Sequence, residues 1–325
     1  MTKVLQFELW RECNCFCTFC TLREYNHSTP DRLKIEALDT ALKELKGINS
    51  NIHETVGFIG GEFFQGQLSN IDVKNKFMEI MQYTNDMLNN KLIDNVWINA
   101  SLLIGNQKDL YDTINVFKNN EDKLWILTSY DTMGRFHSKK MYETWNSHLI
   151  NIKEKFPSIK LNITSILTGD FILKYLNNEI NLHDIAKKYN ASLYFKNPVI
   201  PENYTASHNK SDIDAKKDIN KEIGYFFPKR NDFLRFLDKF YNDMGEYEFD
   251  KLMDMHFKAD EVRKNYNNDN ERNLKFIRDP DKDIEFYELD DSGLLHCGHN
   301  TICSSYCDSD ACTMCDKYKY KEMRG

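Results

Sequence analysis

Four cysteines lie within eight residues near the start of the chain, and three of them have the spacing C-x-x-x-C-x-x-C. These three are Cys13, Cys17 and Cys20, and Cys15 is the additional thiol. At this spacing one tight loop can supply thiolates to three irons of a 4Fe–4S cluster, which leaves the fourth iron without a protein ligand. A structural zinc site takes four ligands, commonly as two C-x-x-C pairs, and only Cys17 and Cys20 have that spacing. The spacing therefore favours an iron–sulfur cluster, and we interpret Cys15 as a spare thiol of the loop.

Composition and charge narrow the class of protein that carries these thiols. The 325 residues are 41% hydrophobic, which is enough to fill a sizeable core. A net charge of −7 gives no basic field that would hold nucleic acid nonspecifically. The sequence has neither the pattern of a signal peptide nor an apolar run long enough to span a bilayer, so we expect a cytoplasmic protein without a membrane partner. Thiols stay reduced in that compartment, and the odd total of nine cysteines agrees with metal binding or catalysis.

Six short apolar segments have the character of β-strands, and apolar residues at helical spacing follow them. The first helix, for example, carries Leu38, Leu42 and Leu45 on one face and ends near Gly47. Strands that alternate with helices predict a parallel sheet, either as a barrel or as an open doubly wound sheet. The predicted strands cover residues 4–10, 56–59, 96–98, 124–127, 161–167 and 192–195.

Polar residues follow the first four predicted strands at the points where these strands end. They are the cysteine loop, the Gly-Gly-Glu run at residues 60–62, Asn99, and Ser129 with Asp131. In a parallel barrel the carboxyl ends of all strands share one face, so these residues would surround one ligand. An open sheet would gather only those near its switch point. The pattern therefore favours an α/β fold with a partial (β/α)6 TIM-type barrel over residues 1–200.

Two motifs together resemble those of the radical S-adenosylmethionine enzyme superfamily. The first is C-x-x-x-C-x-aromatic-C, with Phe19 in the aromatic position, and the second is the Gly-Gly-Glu run after the next strand. The resemblance covers roughly residues 4–200. It implies that Cys13, Cys17 and Cys20 hold a 4Fe–4S cluster whose open iron chelates the amino and carboxylate groups of S-adenosylmethionine.

The resemblance also implies cofactor contacts from residues beyond the cysteine loop. Phe19 would lie against the adenine, and the strand end at Gly60, Gly61 and Glu62 would bind the methionyl amino group. A carboxylate is a suitable acceptor for an ammonium group, and glycines allow close approach of the backbone. Looser matches to family segments imply further contacts, which would come from Asn99 and Ser129.

The activity implied by the resemblance is radical chemistry. The reduced cluster cleaves S-adenosylmethionine to a 5′-deoxyadenosyl radical, which removes a hydrogen atom from a substrate, while the protein positions the substrate and excludes water. An electron donor such as flavodoxin or ferredoxin would supply the electron. The motifs do not identify the residues that act on the substrate.

A second group of thiols lies in the last part of the chain, over residues 282–325. A strand and a turn at residues 290–293 precede five cysteines, which resembles the start of the SPASM or twitch domains that carry auxiliary iron–sulfur clusters in this superfamily. Four of the thiols could equally close a tetrahedral zinc site, with His296 or His299 as alternative donors. The sequence therefore predicts a small cysteine-rich domain with a second 4Fe–4S cluster or zinc. The five cysteines are Cys297, Cys303, Cys307, Cys312 and Cys315.

The region between these two parts, residues 201–281, is polar and we expect it to be partly helical. In the superfamily that the chain resembles, auxiliary-cluster tails often accompany modification of peptides or proteins, so the resemblance implies a peptide or protein side chain as the leading substrate class. A nucleotide or a small molecule stays open as the substrate. The alternative from another class is a noncatalytic metal-binding or interaction protein on a degenerate barrel.

Overall fold

The computed structural model of the chain describes residues 4–10, 12–15, 17, 29–48, 55–103, 107–132, 135–136, 138–196, 228–229, 232–233, 235–245, 247–249, 252 and 274–276.

A parallel β-sheet forms the centre of the described residues. Its strand order is β6-β5-β4-β3-β2-β1-β7, so the first six strands are neighbours in the order of the chain. Each of the strands β1 to β5 pairs with the next in parallel, and β7 is also parallel to β1. The strands are Val4–Glu8 (β1), Thr55–Ile59 (β2), Asn95–Asn99 (β3), Leu124–Ser129 (β4), Lys160–Ile166 (β5), Ala191–Lys196 (β6) and Leu274–Phe276 (β7).

Helices connect the strands, and several begin at a polar residue whose side chain accepts hydrogen bonds from the first turn. Asn70 caps α2 in this way, Ser138 caps α4, and Thr168 caps α5. Within the described residues, no helix is long and apolar enough to cross a membrane. The helices are Asp31–Lys46 (α1), Ile71–Asn89 (α2), Lys108–Val116 (α3), Lys139–Lys155 (α4), Gly169–Leu176 (α5) and Leu182–Tyr189 (α6), with a 3-10 helix at Lys118–Lys123.

One face of the sheet is buried in the main hydrophobic core together with side chains of the helices. Consecutive parallel neighbours joined by right-handed crossovers bring successive helices to the same face of a sheet. Alternate residues of the strands therefore supply the core. Examples are Leu5, Phe7, Val56, Phe58, Val96, Ile98, Ile126, Ile163 and Phe195, none of which is more than 3% exposed.

The opposite face, named the open face from here on, carries polar and partly exposed side chains. Trp97 of β3 and Trp125 of β4 are direct neighbours in the register of this face. Gly57 of β2 is the neighbour of Trp97 on the other side. A Cβ atom on Gly57 would lie 2.2 Å from the Trp97 ring, so glycine here allows that ring to cross the adjacent strand.

A further helix at residues 235–245 packs against the last part of the sheet. The rings of Phe236 and Tyr175 have centroids 5.2 Å apart, and those of Phe240 and Phe195 are 5.4 Å apart. Phe236 and Phe240 are fully buried, as expected for the core face of a helix. This helix and β7 both come from the region between residues 201 and 281. The domain boundaries at residues 200 and 281 remain predictions.

The predicted α/β class is confirmed, and so is a parallel sheet of six sequential strands with helices between them. The strand order is compatible with a partial barrel. β7 is an addition that the sequence did not predict, because a strand of three residues is too short to show an alternating pattern.

The contact between Gly57 and Trp97 gives a prediction for stability. In Gly57→Ala the added methyl group would overlap the Trp97 ring, so the ring must move and the free energy of unfolding should fall by about 1–3 kcal/mol. Urea denaturation measures the change. Gly47→Ala is the matched control, because its Cβ would lie 3.3 Å from the Glu44 carbonyl oxygen and requires only a small adjustment. Equal stability of the two variants would contradict the prediction.

Candidate functional site

The chain segments that follow β1 and β2 are joined by main-chain hydrogen bonds beyond the ends of the strands. The Gly61 N–H donates to the Trp10 carbonyl at 2.8 Å, and the Glu62 N–H donates to the Glu12 carbonyl at 2.9 Å. A Cβ atom on Gly60 would lie 2.4 Å from the Trp10 carbonyl oxygen, so only glycine fits here without a shift of the backbone. The approach of Glu62 to the cysteine loop therefore depends on Gly60.

The Glu62 side chain is buried, with 1% of its surface exposed, and accepts three main-chain hydrogen bonds. Its Oε1 accepts from the N–H groups of Phe63 at 2.8 Å and Phe64 at 3.1 Å. Its Oε2 accepts from the Ser101 N–H at 2.6 Å. The Glu62 carbonyl accepts from the Trp10 indole at 2.7 Å. Glu62 thus connects the segments that follow β1, β2 and β3.

Burial determines the protonation behaviour of Glu62. Burial raises the pKa of this carboxyl group, although hydrogen bonds from Ser101 and Phe64 act in the opposite direction, and the negative charge of Cys15 raises it further. A cation beside Glu62 would lower this pKa, because it would stabilise the ionised form. A cation at this position would therefore favour the ionised form of Glu62.

Cys15 of the cysteine loop interacts with both Cys13 and Cys17. Cys15 is 3% exposed, Cys17 is 5% exposed, and Cys13 is partly exposed. The Cys15 N–H donates to the Cys13 sulfur at 3.4 Å. The contact with Cys15, followed by burial, raises the pKa of Cys13, while hydrogen bonds from Cys13 and Cys17 lower the pKa of Cys15. Cys15 therefore links the other two thiols, and the three are named the thiol cluster from here on.

Gln65 connects the cysteine loop to two other segments. Its Nε2 donates to the Cys15 sulfur at 2.9 Å and to the Leu103 carbonyl at 3.2 Å. Its Oε1 accepts from the Asn14 N–H at 2.8 Å. One side chain that follows β2 therefore binds the loop after β1 and the segment after β3.

A buried ion pair places the guanidinium group of Arg135 near the thiols. The Arg135 Nε donates to Asp131 Oδ2 at 2.9 Å, and Asp131 Oδ1 accepts from the Ile166 N–H at 2.9 Å. The side chain of Arg135 is 14% exposed, and that of Asp131 is 4% exposed. Burial lowers the pKa of Arg135, but the charges of Cys17, Asp131 and Cys15 more than offset this, so its pKa lies above the ordinary value. The guanidinium group thus stabilises negative charge on the thiols.

A second ion pair fixes the start of the cysteine loop. Lys34 of α1, whose side chain is 5% exposed, lies 2.8 Å from Glu12 Oε2. The same Glu12 oxygen accepts from the Thr29 N–H at 3.2 Å. Glu12 immediately precedes Cys13, so the pair anchors the loop next to its first predicted ligand.

The structure separates the predicted site residues into two groups. Cys13, Cys17 and the Gly60–Glu62 run lie at the carboxyl ends of the strands, where the cysteine loop meets the segment after β2. Asn99 and Ser129 are the last residues of β3 and β4 and belong to the open face. Phe19, Cys20 and the five tail cysteines, Cys297, Cys303, Cys307, Cys312 and Cys315, lie outside the described residues.

Sequence reasoning did not predict three residues of the site, which are Gln65, Ser101 and Arg135. It placed Asp131 among the polar residues at the end of the fourth strand but gave it no cofactor contact. Ser101 lies two residues beyond Asn99, the strand-end residue that the sequence analysis chose. The only pattern in the sequence that pointed to these residues was a polar side chain in the segment after a strand. It could not decide between neighbouring candidates, because backbone direction in these segments follows no regular period.

Comparison with known proteins does not identify a family. No protein-family model matches the chain, and no curated protein matches it significantly.

The donors in the site fit an iron–sulfur cluster as far as the structure describes them. Thiolates are the preferred ligands of such clusters, and Cys13 and Cys17 both contact Cys15. Among the described residues, no group of three or more His, Cys, Asp and Glu side chains has an arrangement that could hold a metal ion. Cys20, the third predicted ligand, lies outside them. Two of the three predicted ligands, Cys13 and Cys17, therefore lie at this edge of the sheet.

The hydrogen bonds of Glu62 predict a large effect on stability. Glu62→Ala leaves three main-chain N–H groups without their acceptor in a buried site, so the free energy of unfolding should fall by about 3 kcal/mol. Chemical denaturation at neutral pH measures the change. Glu79→Ala is the control, because this α2 carboxylate is 51% exposed and lies 3.7 Å from Lys46. Its removal should change stability by less than about 0.5 kcal/mol. Similar values for the two variants would show that Glu62 is not a structural link.

Proposed function

We propose that this chain is a radical S-adenosylmethionine enzyme built on a partial (β/α)6 barrel. The observation that carries the proposal is the meeting of two motifs at one edge of the sheet. Cys13 and Cys17 follow β1, Glu62 follows β2, and main-chain hydrogen bonds join the two segments. Catalytic groups of parallel βα barrels lie at this edge.

The residues of the site have separate tasks in this proposal. Cys13, Cys17 and Cys20 would hold a 4Fe–4S cluster. When bound, this cluster supplies the electron for reductive cleavage of S-adenosylmethionine. Glu62 would accept the methionyl ammonium group, because its buried carboxylate gains most from a cation. Arg135 offsets the negative charge of the thiols and is itself held by Asp131.

The open face beside the site supports a role in substrate binding. Asn99 and Ser129 are the last residues of their strands on this face, at the carboxyl edge. Trp97 and Trp125 lie earlier in the same strands, on the side away from that edge. Aromatic rings with nearby polar groups suit a substrate that has both apolar and polar parts. We propose a peptide or protein side chain as this substrate, with flavodoxin or ferredoxin as the type of electron donor. Assays with candidate peptides, small molecules and nucleotides distinguish the substrate classes.

The decisive assay measures cofactor cleavage. After anaerobic reconstitution with iron and sulfide, the protein with dithionite should convert S-adenosylmethionine to 5′-deoxyadenosine. Cys17→Ala should abolish this product, because one iron loses its anionic ligand. Gln82→Ala is the matched control and should keep full activity, because Gln82 is an exposed residue of α2 that binds Asp86. Cys15→Ala should still give the product, because all three predicted ligands remain.

Two outcomes of this assay contradict the proposal. Cleavage that survives Cys17→Ala would remove Cys17 from the ligand set. Metal uptake without any 5′-deoxyadenosine in the wild-type protein would favour the alternative, a noncatalytic metal-binding protein on the same fold.

The tail needs a separate test, because two metals suit its cysteines. A Cys13/Cys17/Cys20 triple alanine variant should still hold about four irons if the tail binds an auxiliary cluster. It should hold about one zinc and almost no iron if four thiolates form a closed tetrahedral site. Metal analysis of the reconstituted variant measures both quantities. The absence of both metals would reject both assignments for the tail.

A further inference from the structure

Gln65 follows β2 but contacts the cysteine loop, which follows β1, through both its side chain and its main chain. Its side-chain amide donates to Cys15 and Leu103 and accepts from Asn14. Its own main chain also takes part, because the Gln65 carbonyl accepts from Asn14 Nδ2 at 3.4 Å. The side chain of Gln67 accepts from the Gln65 N–H at 2.7 Å and fixes the backbone at this point.

The orientation of the Gln65 amide is determined by its partners. Nε2 faces a carbonyl oxygen and a sulfur, both of which accept hydrogen bonds, while Oε1 faces a main-chain N–H group. Rotation of the amide by half a turn would bring two donors together at Asn14 and two acceptors together at Leu103. The side chain therefore has one orientation that satisfies all three contacts.

The segment after β3 forms a turn whose Leu103 carbonyl accepts a hydrogen bond from Gln65. Leu102 has a positive φ of 58°, which is unusual for a residue with a branched side chain. The Leu103 N–H donates to Ser101 Oγ at 3.2 Å, and the Ser101 N–H binds Glu62. This turn holds the Leu103 carbonyl where Gln65 Nε2 reaches it. The turn and the buried carboxylate thus fix one side of the contact between Gln65 and Cys15.

We propose that Gln65 is a positioning residue for the cysteine loop and that Cys15 is the thiol through which it acts. Cys15 lies between Cys13 and Cys17 in sequence and contacts both of them. A hydrogen bond that holds Cys15 therefore restricts both neighbouring thiols. Cys15 is in this way an anchor of the loop and not a ligand. The link to metal binding depends on the proposed function, whereas the link to loop structure does not.

The first experiment measures amide hydrogen exchange in the metal-free protein, resolved to single residues by mass spectrometry. In Gln65→Ala the Asn14 amide loses its acceptor and should exchange about tenfold faster. In Gln65→Glu it should keep its protection, because a carboxylate oxygen can replace the amide oxygen. Gln82→Ala removes an exposed glutamine of α2 that binds Asp86, and should leave exchange in the loop unchanged. Circular dichroism verifies that each variant is folded.

The second experiment measures how fast a chelator removes iron from the reconstituted protein. Both Gln65→Ala and Gln65→Glu lose the donor to Cys15, so each should release iron about tenfold faster than wild type or Gln82→Ala. Cys15→Ala should have the same effect, and the double variant with Gln65→Ala should be no faster than either single variant. The electron paramagnetic resonance spectrum of the reduced cluster should broaden in these variants and not in Gln82→Ala.

The outcomes separate the two proposals. Unchanged Asn14 exchange in Gln65→Ala overturns the positioning role, whatever the metal content. Faster exchange with unchanged iron release and an unchanged spectrum overturns the link between Cys15 and the ligands. A wild-type protein that binds no iron contradicts the proposed function, and the exchange experiment then decides the positioning role alone.

Discussion

The buried carboxylate of Glu62 is the constraint on which the arrangement of the site depends. Three main-chain N–H groups from two segments point at its two oxygens, and a fourth hydrogen bond joins its carbonyl to Trp10. Main-chain N–H groups can meet at a buried point only if an acceptor satisfies them, because an unpaired donor in an apolar site is costly. The segments after β1, β2 and β3 therefore share one structure and do not behave as independent loops.

The charges of the site follow from the same geometry. Glu62 and the thiols would repel one another if all were ionised, and burial increases this effect because water does not screen it. Arg135 offsets part of that repulsion and depends on Asp131 for its position. Asp131 in turn accepts from the main chain of β5. The electrostatic balance of the cysteine loop thus involves residues that follow β1, β2 and β4 and the end of β5.

The fold supports this arrangement in a simple way. Sequential parallel strands bring the carboxyl ends of β1–β4 to one edge, and the buried core under the opposite face keeps the strands in register. The helices supply that core and also fix individual loops. Lys34 of α1, for example, reaches back to Glu12 at the start of the cysteine loop. The open face lies beside the site, its two tryptophans are partly exposed, and Gly57 leaves room for the Trp97 ring.

The sequence by itself determined the order and type of the elements and the edge at which the motifs meet. Hydrophobic periodicity identified the six sequential strands and the buried residues of α1 and α2, because regular elements repeat their burial pattern along the chain. Only the tertiary structure decided which side chains converge after the strands end. Ser101 enters the site while Asn99 lies on the open face, and Cys15, taken from sequence as a spare thiol, is the centre of the thiol cluster. The contact of Cys15 with Gln65 spans 50 residues of sequence and arises between irregular segments. No period along the chain encodes such a contact, because it depends on how two loops are held against each other by the sheet.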